Sequence, residues 1–414
     1  MGRVRKAAIW HPLGEKAFRR LFAGEGLALL ADHAFFVALT LLVVRAAGPG
    51  FELGSVLAVS AIPGAVLMPL GGALADRYSP ASMMLVSSIG RVLLMALVAA
   101  LVLLDSVSLW HLYLFGGLLS VLDAAYYPAS LSVVPTVVSR ERLAAANALI
   151  QGAEQASQTA GPVLAAFAVA TFGLGLTFGA NALLFLASAL AFVGLLRAVR
   201  RGKLASGTVA EGAASPVGFG GMLEGVRYVW RDPVLRGLIS VLAVLNVVAV
   251  GPVVVGGAAL AEERLGGAGS FGVMLSGFGA GSLVGLLVAG SLASPRRRGP
   301  TLLGVMGLFG LGLGALGFVP NLAWTLAAVA AMGVGAGYLG VVIVAWLQER
   351  VEERVRGRVM GLVSFAFIAL DPVSYALTGA ILELGITATF VGAGSVMALA
   401  ALLGATSRSL RTFD

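Results

Sequence analysis

Five ionisable residues stand in stretches that are otherwise apolar: Asp32, Arg91, Asp123, Glu154 and Asp371. A charged side chain in hydrocarbon costs several kcal/mol, so such groups persist where they pair, meet water or hold a ligand. Four acids outnumber one arginine. The surplus calls for protonation, hydration or a cationic ligand, which is the chemistry of proton coupling and of binding amphiphilic cations.

Polar and aromatic residues lie within helical reach of these acids. Gln151, Glu154, Gln155 and Gln158 recur at i, i+3, i+4 and i+7 and form one stripe. It reads as the lining of a watered cavity or as hydrogen-bonding glue between helices. Tyr127 follows Asp123 by four residues, and Tyr375 follows Asp371 by four, so each phenol shares its acid's face. Phe35, Phe36, Tyr126 and Tyr127 surround the acids with rings that suit an amphiphile or, equally, packing between helices. Pro372 interrupts the backbone ladder beside Asp371. Glu25 sits one heptad before Asp32, about 10 Å along a helix axis, where it continues a polar path or approaches the interface. His33 points about 100° away from Asp32 and reads as a hydrogen-bonded packing residue before a proton relay.

The elements that must position these groups are membrane helices. The chain has 414 residues, 59% hydrophobic and 12% charged, with a mean hydropathy of +0.97. Soluble domains are roughly one-quarter charged. Crossing a ~30 Å hydrocarbon core takes about 20 helical residues. Twelve runs of that order are expected, at 21–44, 53–75, 81–104, 109–135, 143–171, 174–196, 238–261, 270–293, 300–319, 322–347, 359–382 and 385–405. They are too continuous for barrel strands, which alternate between lipid and lumen. Asp32, Arg91, Asp123 and Asp371 then fall near mid-span, with Glu154 slightly to the cytoplasmic side.

Of the 28 Lys and Arg, all but Arg45, Arg91 and Arg264 fall on one side of twelve crossings. That bias places both termini in the cytoplasm. The formal charge of +8 is thereby read as orienting the chain and touching anionic headgroups, with no nucleic-acid partner. The first twenty residues lack the short apolar core and small-residue cleavage site of a signal peptide, so the first helix is expected to remain.

Several chemistries are disfavoured. With no cysteine there is no disulfide or thiolate metal site, and His11, His33 and His111 lack metal-ligand spacing. Gly335, Gly337 and Gly340 have dinucleotide-fingerprint spacing but lie inside an apolar span, which makes them close helix contacts, like the glycines from Gly277 to Gly285. No nucleophile-base pair stands out, so neither an enzyme nor a cofactor is expected.

The longest polar interval separates six spans from six. The expected division is a basic cytoplasmic N-terminus (1–20), a six-helix bundle (21–196), a cytoplasmic linker (197–237), a second six-helix bundle (238–405) and a tail (406–414). The linker begins Gly/Ala/Ser-rich and flexible. It then places Met222, Val226 and Val229 at the spacing of an interfacial or surface-packed helix. GGALADRYSP after the second span and AGSLASPRRRGP after the eighth form a weak repeat, which makes the bundles pseudo-symmetric. In the first copy Ser79 is the expected N-cap of the third helix, with Pro80 at its first position.

GGALADRYSP, through Gly72, Asp76 and Arg77, is similar to the loop motif of the major facilitator superfamily. ASQTAGPVLAA, through Gly161 and Pro162, is similar to the Gly-Pro motif of that family's exporters. The chain resembles this superfamily over essentially its full length. FAGEGLALLADHAFFVALTLLV, RERLAAANAL and EGVRYVWRDPVLRGL resemble its drug/proton antiporter-like branch containing macrolide and siderophore exporters. Ser79, Pro80 and Ala81 replace the later part of the loop motif, and helix 4 lacks the arginine motif of many drug/proton antiporters.

The resemblance implies gating roles for Gly72, Asp76, Arg77, Gly161 and Pro162. It also implies a secondary transporter in the inner (plasma) membrane, expected to be a monomer, that exports amphiphilic small molecules by alternating access. Alternating exposure would change the proton occupancy of a mid-membrane acid. Asp32 is the first candidate, followed by Glu154, Asp123 and Asp371, with Arg91 as their cation. The expected partners are the substrate, protons and the bilayer. Alternatives are an importer of the same superfamily, a lipid or lysolipid transporter, or a non-transporting receptor or scaffold.

Overall fold

The computed structural model describes residues 10–206, 226–291 and 298–406. All regular elements among them are helical. The long ones begin with α1 (Lys16–Ala47), α2 (Phe51–Arg77), α3 (Pro80–Leu103), α4 (Leu109–Val137) and a run Leu143–Ser206 that divides into α5 (143–172) and α6 (174–206). There follow α7 (Pro233–Gly251), a π-helical turn Pro252–Gly256, α8 (Gly257–Arg264), α9 (Ala268–Ser291), α10 (Arg298–Leu316), α11 (Leu322–Arg350), α12 (Glu353–Leu382) and α13 (Ile386–Thr406).

Among the described residues nine segments are long and apolar enough to cross a membrane. One of them, Leu143–Val199, has 57 residues, enough for two crossings. Its break is Gly173, at φ 78° and ψ 169°, a conformation that a side chain disfavours. Shorter apolar stretches, Phe51–Leu67 and Ala369–Leu382, lie in α2 and α12, so each expected span coincides with a helical stretch. The seventh span is the composite of α7, the π turn and α8, because Pro252 removes a backbone donor within it.

Local chemistry sets several ends. Gly48 follows α1 at φ 89° and donates to the Val44 carbonyl, a left-handed C-terminal stop. Pro80 opens α3 as expected and Ser79 is its N-cap residue, but the Ser79 hydroxyl makes no capping bond. At α4 the Ser108 amide donates to His111 Nδ1 at 3.0 Å, one half of a capping box. Asn321 caps α11 by accepting from the Trp324 amide at 3.2 Å.

Two compact units emerge, one of Met1–Leu39 with Pro63–Pro216 and the other of Thr40–Ile62 with Val217–Asp414. In the second unit, glycines bring α9 and α11 into backbone contact. A Cβ at Gly281 would meet the Ala330 carbonyl, one at Gly285 the Val334 carbonyl, one at Gly333 the Phe278 carbonyl and one at Gly337 the Ser282 carbonyl. The glycines four apart on each helix line one face, a packing that dispersion favours in a membrane. The fingerprint-like glycines are thus helix contacts at Gly337 and at Gly335, which faces Val305, whereas Gly340 meets open space. Of the anticipated linker helix, Met222 lies outside the described residues, whereas 226–231 are helical with Val229 buried; the surroundings of Gly72, Asp76 and Arg77 at the end of α2 lie outside them too.

Candidate functional site

The first unit gathers several ionisable side chains around Arg91 of α3. This guanidinium is 1% exposed and bridges two helices, donating through Nη1 to Asp32 Oδ2 of α1 at 3.1 Å and through Nη2 to Asp123 Oδ1 of α4 at 2.6 Å. The acids are less closed than their cation, with side-chain exposures of 28% for Asp32 and 45% for Asp123. Arg91 also lies 4.2 Å from the centre of the Tyr126 ring and 5.4 Å from that of Phe185, within cation–π range. Two buried polar atoms here lack a partner, Asp32 Oδ1 and Arg91 Nε.

A second link runs along α1. Glu25 is 4% exposed and accepts a 2.6 Å hydrogen bond from the Tyr126 hydroxyl. Tyr126 thus lends its ring to Arg91 and its hydroxyl to Glu25. Of the two readings open for Glu25, continuation of a polar path inside the protein is the one the structure takes. Buried acids rarely go unpartnered, but the sequence alone did not disclose this partner 101 positions away.

The third link joins α1 to α5, where His33 Nε2 lies 3.2 Å from Glu154 Oε1. Gly161 explains the approach: a Cβ there would stand 2.7 Å from His33 Cβ, so only glycine lets α5 come this close. Pro162 is buried immediately after it. On the stripe around Glu154, Gln155 donates to Gln158 at 2.9 Å, and Gln151 and Gln158 are exposed.

The second unit treats its acid differently. Asp371 of α12 accepts a 2.9 Å hydrogen bond from Asn246 Nδ2 of α7, and among the described residues no Lys, Arg or His pairs with it. Ser374, one turn on, accepts from the Gly251 amide at 2.6 Å and donates to the Val247 carbonyl at 2.7 Å. A polar strip therefore ties α12 to α7 just before the π turn.

The residues expected at i+4 are not the hydrogen-bonding partners of Asp123 and Asp371. Asp123 meets Arg91, and Asp371 meets Asn246, because a charged or amide donor from a facing helix satisfies a carboxylate directly. Tyr127 is exposed and Tyr375 buried. Phe35 is buried with its ring edge-on to Phe178 at 6.2 Å, and Phe36 is partly exposed. Glu25 and His33, both read from their spacing to Asp32, make hydrogen bonds in this region, and Asn246, which neither type nor spacing singled out, joins Asp371. Among the described residues no cluster of His, Cys, Asp and Glu could hold a metal.

Relatives of known activity match this chain in sequence over most of its length. The chain is 25% identical over 406 residues to the multidrug efflux pump Tap of Mycolicibacterium fortuitum, covering 96% of each chain. It is 25% identical over 370 residues to the enterobactin exporter EntS of Shigella flexneri, covering 88% of this chain and 84% of that one. Among solved structures, the nucleoside transporter NupG superposes with a TM-score of 0.73 at 10% identity, covering 94% of this chain and 98% of the other. A peptide transporter of the POT family gives 0.71 at 14% identity, over 95% and 94%. At such identities these structures speak for the fold alone. The family model described as Major Facilitator Superfamily matches residues 21–367 and 253–412, so this chain is an integral membrane transporter belonging to the major facilitator superfamily.

Proposed function

We propose that the chain is a proton-coupled exporter of amphiphilic small molecules in the plasma membrane, with Asp32, Arg91 and Asp123 as its proton-exchange centre. The observation that carries the reading is one sealed guanidinium shared by two partly open carboxylates. Arginine keeps its charge in proteins, so the trio has a net charge of −1 with both acids ionised and is neutral with one proton bound. A single proton therefore switches the charge of the centre.

On this reading both termini are cytoplasmic, and the monomeric chain forms two pseudo-symmetric six-helix bundles within the bilayer. Their alternating opening presents the centre first to one face and then to the other. A proton entering from outside neutralises the trio and accompanies substrate release; its loss to the cytoplasm resets the centre. Glu25–Tyr126 and His33–Glu154 extend the polar connection along α1. Gly161 and Pro162 hold the α1–α5 contact through which this opening is transmitted, and Gly72, Asp76 and Arg77 act at the cytoplasmic gate. Export, and substrates in the range from lipophilic drugs to siderophores, are carried over from the named activities of Tap and EntS.

The test uses proteoliposomes with an imposed pH gradient and a panel of macrolides, lipophilic cations and siderophores. The wild type should move at least one of them uphill, and Asp32→Asn or Asp123→Asn should abolish uphill movement while retaining binding. Uphill transport undiminished in both variants would overturn the assignment. Cells lacking the protein should accumulate the substrate; reduced uptake would instead make the chain an importer.

A further inference from the structure

We infer that Asp371 and Asn246 form a second binding site, one for a monovalent cation: the protonated amine of a substrate or an alkali ion. The proposal names a ligand chemistry for the proposed exporter and rests on that reading only for its biological use.

Asn246 is 4% exposed, and its amide is half satisfied. Its Nδ2 donates to Asp371 Oδ1 at 2.9 Å, while its Oδ1 is buried without a hydrogen-bond partner. Turning the amide over does not relieve this, because it would set Oδ1 against the carboxylate and strand the N–H groups. A bare amide oxygen and a carboxylate with no ion-pair partner among the described residues therefore stand side by side on α7 and α12. Both are acceptors, and leaving them unanswered is costly, most of all for the buried amide oxygen and in part for the half-buried carboxylate.

A proton on Asp371 removes the charge but leaves Asn246 Oδ1 bare. One small cation satisfies both groups, through N–H donors if it is an ammonium or through direct oxygen coordination if it is an alkali ion. The contrast with the first unit is chemical, since Arg91 already supplies the cation there.

The backbone around the pair is held firmly. A Cβ at Gly251 would collide with the Ser374 carbonyl and the Thr378 hydroxyl, so α7 and α12 approach through glycine. Ser374 then locks the register by bonding both the Gly251 amide and the Val247 carbonyl. The π turn Pro252–Gly256 follows at once, a local irregularity of a kind frequent at functional sites. Fixed acceptors of this sort bind without first having to be ordered.

The experiment measures equilibrium binding to the full-length protein in nanodiscs at one pH, with no gradient. The probes are ethidium, a lipophilic monocation with amino donors, and Nile red, a neutral dye of similar reach, each titrated in sodium and in choline buffer. Asp371→Asn should weaken ethidium binding at least tenfold and Asn246→Ala threefold to tenfold, with Nile red unchanged. If sodium competes with ethidium in the wild type and not in Asp371→Asn, the site takes an alkali ion as well; if it never competes, the occupant is the organic ammonium. Wild-type ethidium affinity in both folded variants, with no sodium effect, would overturn the site. Should Asp371→Asn fail to fold, Asn246→Ser and Asn246→Ala decide the matter by the same readings. Because no gradient is applied, loss of proton coupling at Asp32 leaves this outcome untouched, and the two proposals fail separately.

Discussion

Removing Arg91 should cost far more than removing either acid it binds. Arg91→Met keeps most of the side-chain volume but leaves Asp32 and Asp123, bonded to Arg91 at 3.1 and 2.6 Å, facing one another without their cation. Breaking a buried ion pair from one side costs about 3–5 kcal/mol, because the remaining charge is stranded. Asp32→Asn is different. It leaves the shorter Arg91–Asp123 bond intact, and the new amide oxygen can still accept from Nη1, so a loss of about 1 kcal/mol is expected. The triple variant Asp32→Leu, Arg91→Met, Asp123→Leu removes all three charges together and should regain at least ~2 kcal/mol over Arg91→Met alone, since whole buried charge clusters exchange for apolar groups at little cost. Denaturant titration of the purified protein in mixed micelles reads the series. Arg91→Met as stable as the wild type, or a triple variant less stable than Arg91→Met, would refute the charge accounting on which the proton-exchange centre rests.

Three smaller tests follow the same logic. Tyr126→Phe removes a 2.6 Å donor from Glu25 in a site 4% exposed and should cost about 1–3 kcal/mol, whereas the paired change Glu25→Leu with Tyr126→Phe should cost less than Tyr126→Phe alone, read in the same titration. Gly281→Leu or Gly337→Leu drives a side chain into the opposing backbone of the α9–α11 contact and should cost about 1–3 kcal/mol or more; Gly340→Ala, which meets open space, should stay within about 0.5 kcal/mol. Asp232 caps α7 by accepting from the Val234 and Leu235 amides and bonds Arg350 at 2.9 Å. Partial burial favours its neutral form, but the bond from Arg350 and those from the two amides outweigh this and hold its carboxyl below the usual carboxylate range. The stability it adds is therefore full above the unfolded value of about 4 and fades as pH falls through the lower folded value. Asp232→Ala should cost about 0.5–2 kcal/mol at neutral pH, and Asp232→Asn should keep most of the cap while abolishing that acid-side dependence, measured by unfolding across pH.

The helices were legible from the sequence because membrane length and apolar continuity are local properties. The charged residues that interrupt those runs were equally visible, so Asp32, Arg91, Asp123, Glu154 and Asp371 could be picked out one by one. Their partners were less accessible. Which facing helix meets which acid depends on helix rotation, and a difference of one residue turns a side chain by about 100°. That is why Tyr127 looked the natural neighbour of Asp123 while Tyr126, one position earlier, is the residue over Arg91 and against Glu25. Asn246 was invisible for another reason: one asparagine in an apolar helix carries no pattern until the structure sets it against Asp371. Gly161 shows the opposite case, a motif residue read by resemblance whose physical reason, the approach to His33, needed coordinates.

The two acidic sites handle charge in ways that suit different ligands. At the first, a permanent guanidinium touches both carboxylates, and a cationic drug approaching either acid is repelled by Arg91 at close range in a poorly screened setting. A proton escapes most of that penalty, because it bonds covalently to a carboxylate oxygen and leaves Arg91 paired with the other acid. At Asp371 no guanidinium competes among the described residues, and the hydrogen-bonding partner is a neutral amide with an acceptor to spare. The electrostatics thus favour protons at Asp32 and Asp123 and larger cations at Asp371. For a neutral substrate the consequence is sharp: its uphill transport should still require Asp32 yet survive Asp371→Asn, whereas a cationic substrate should require both.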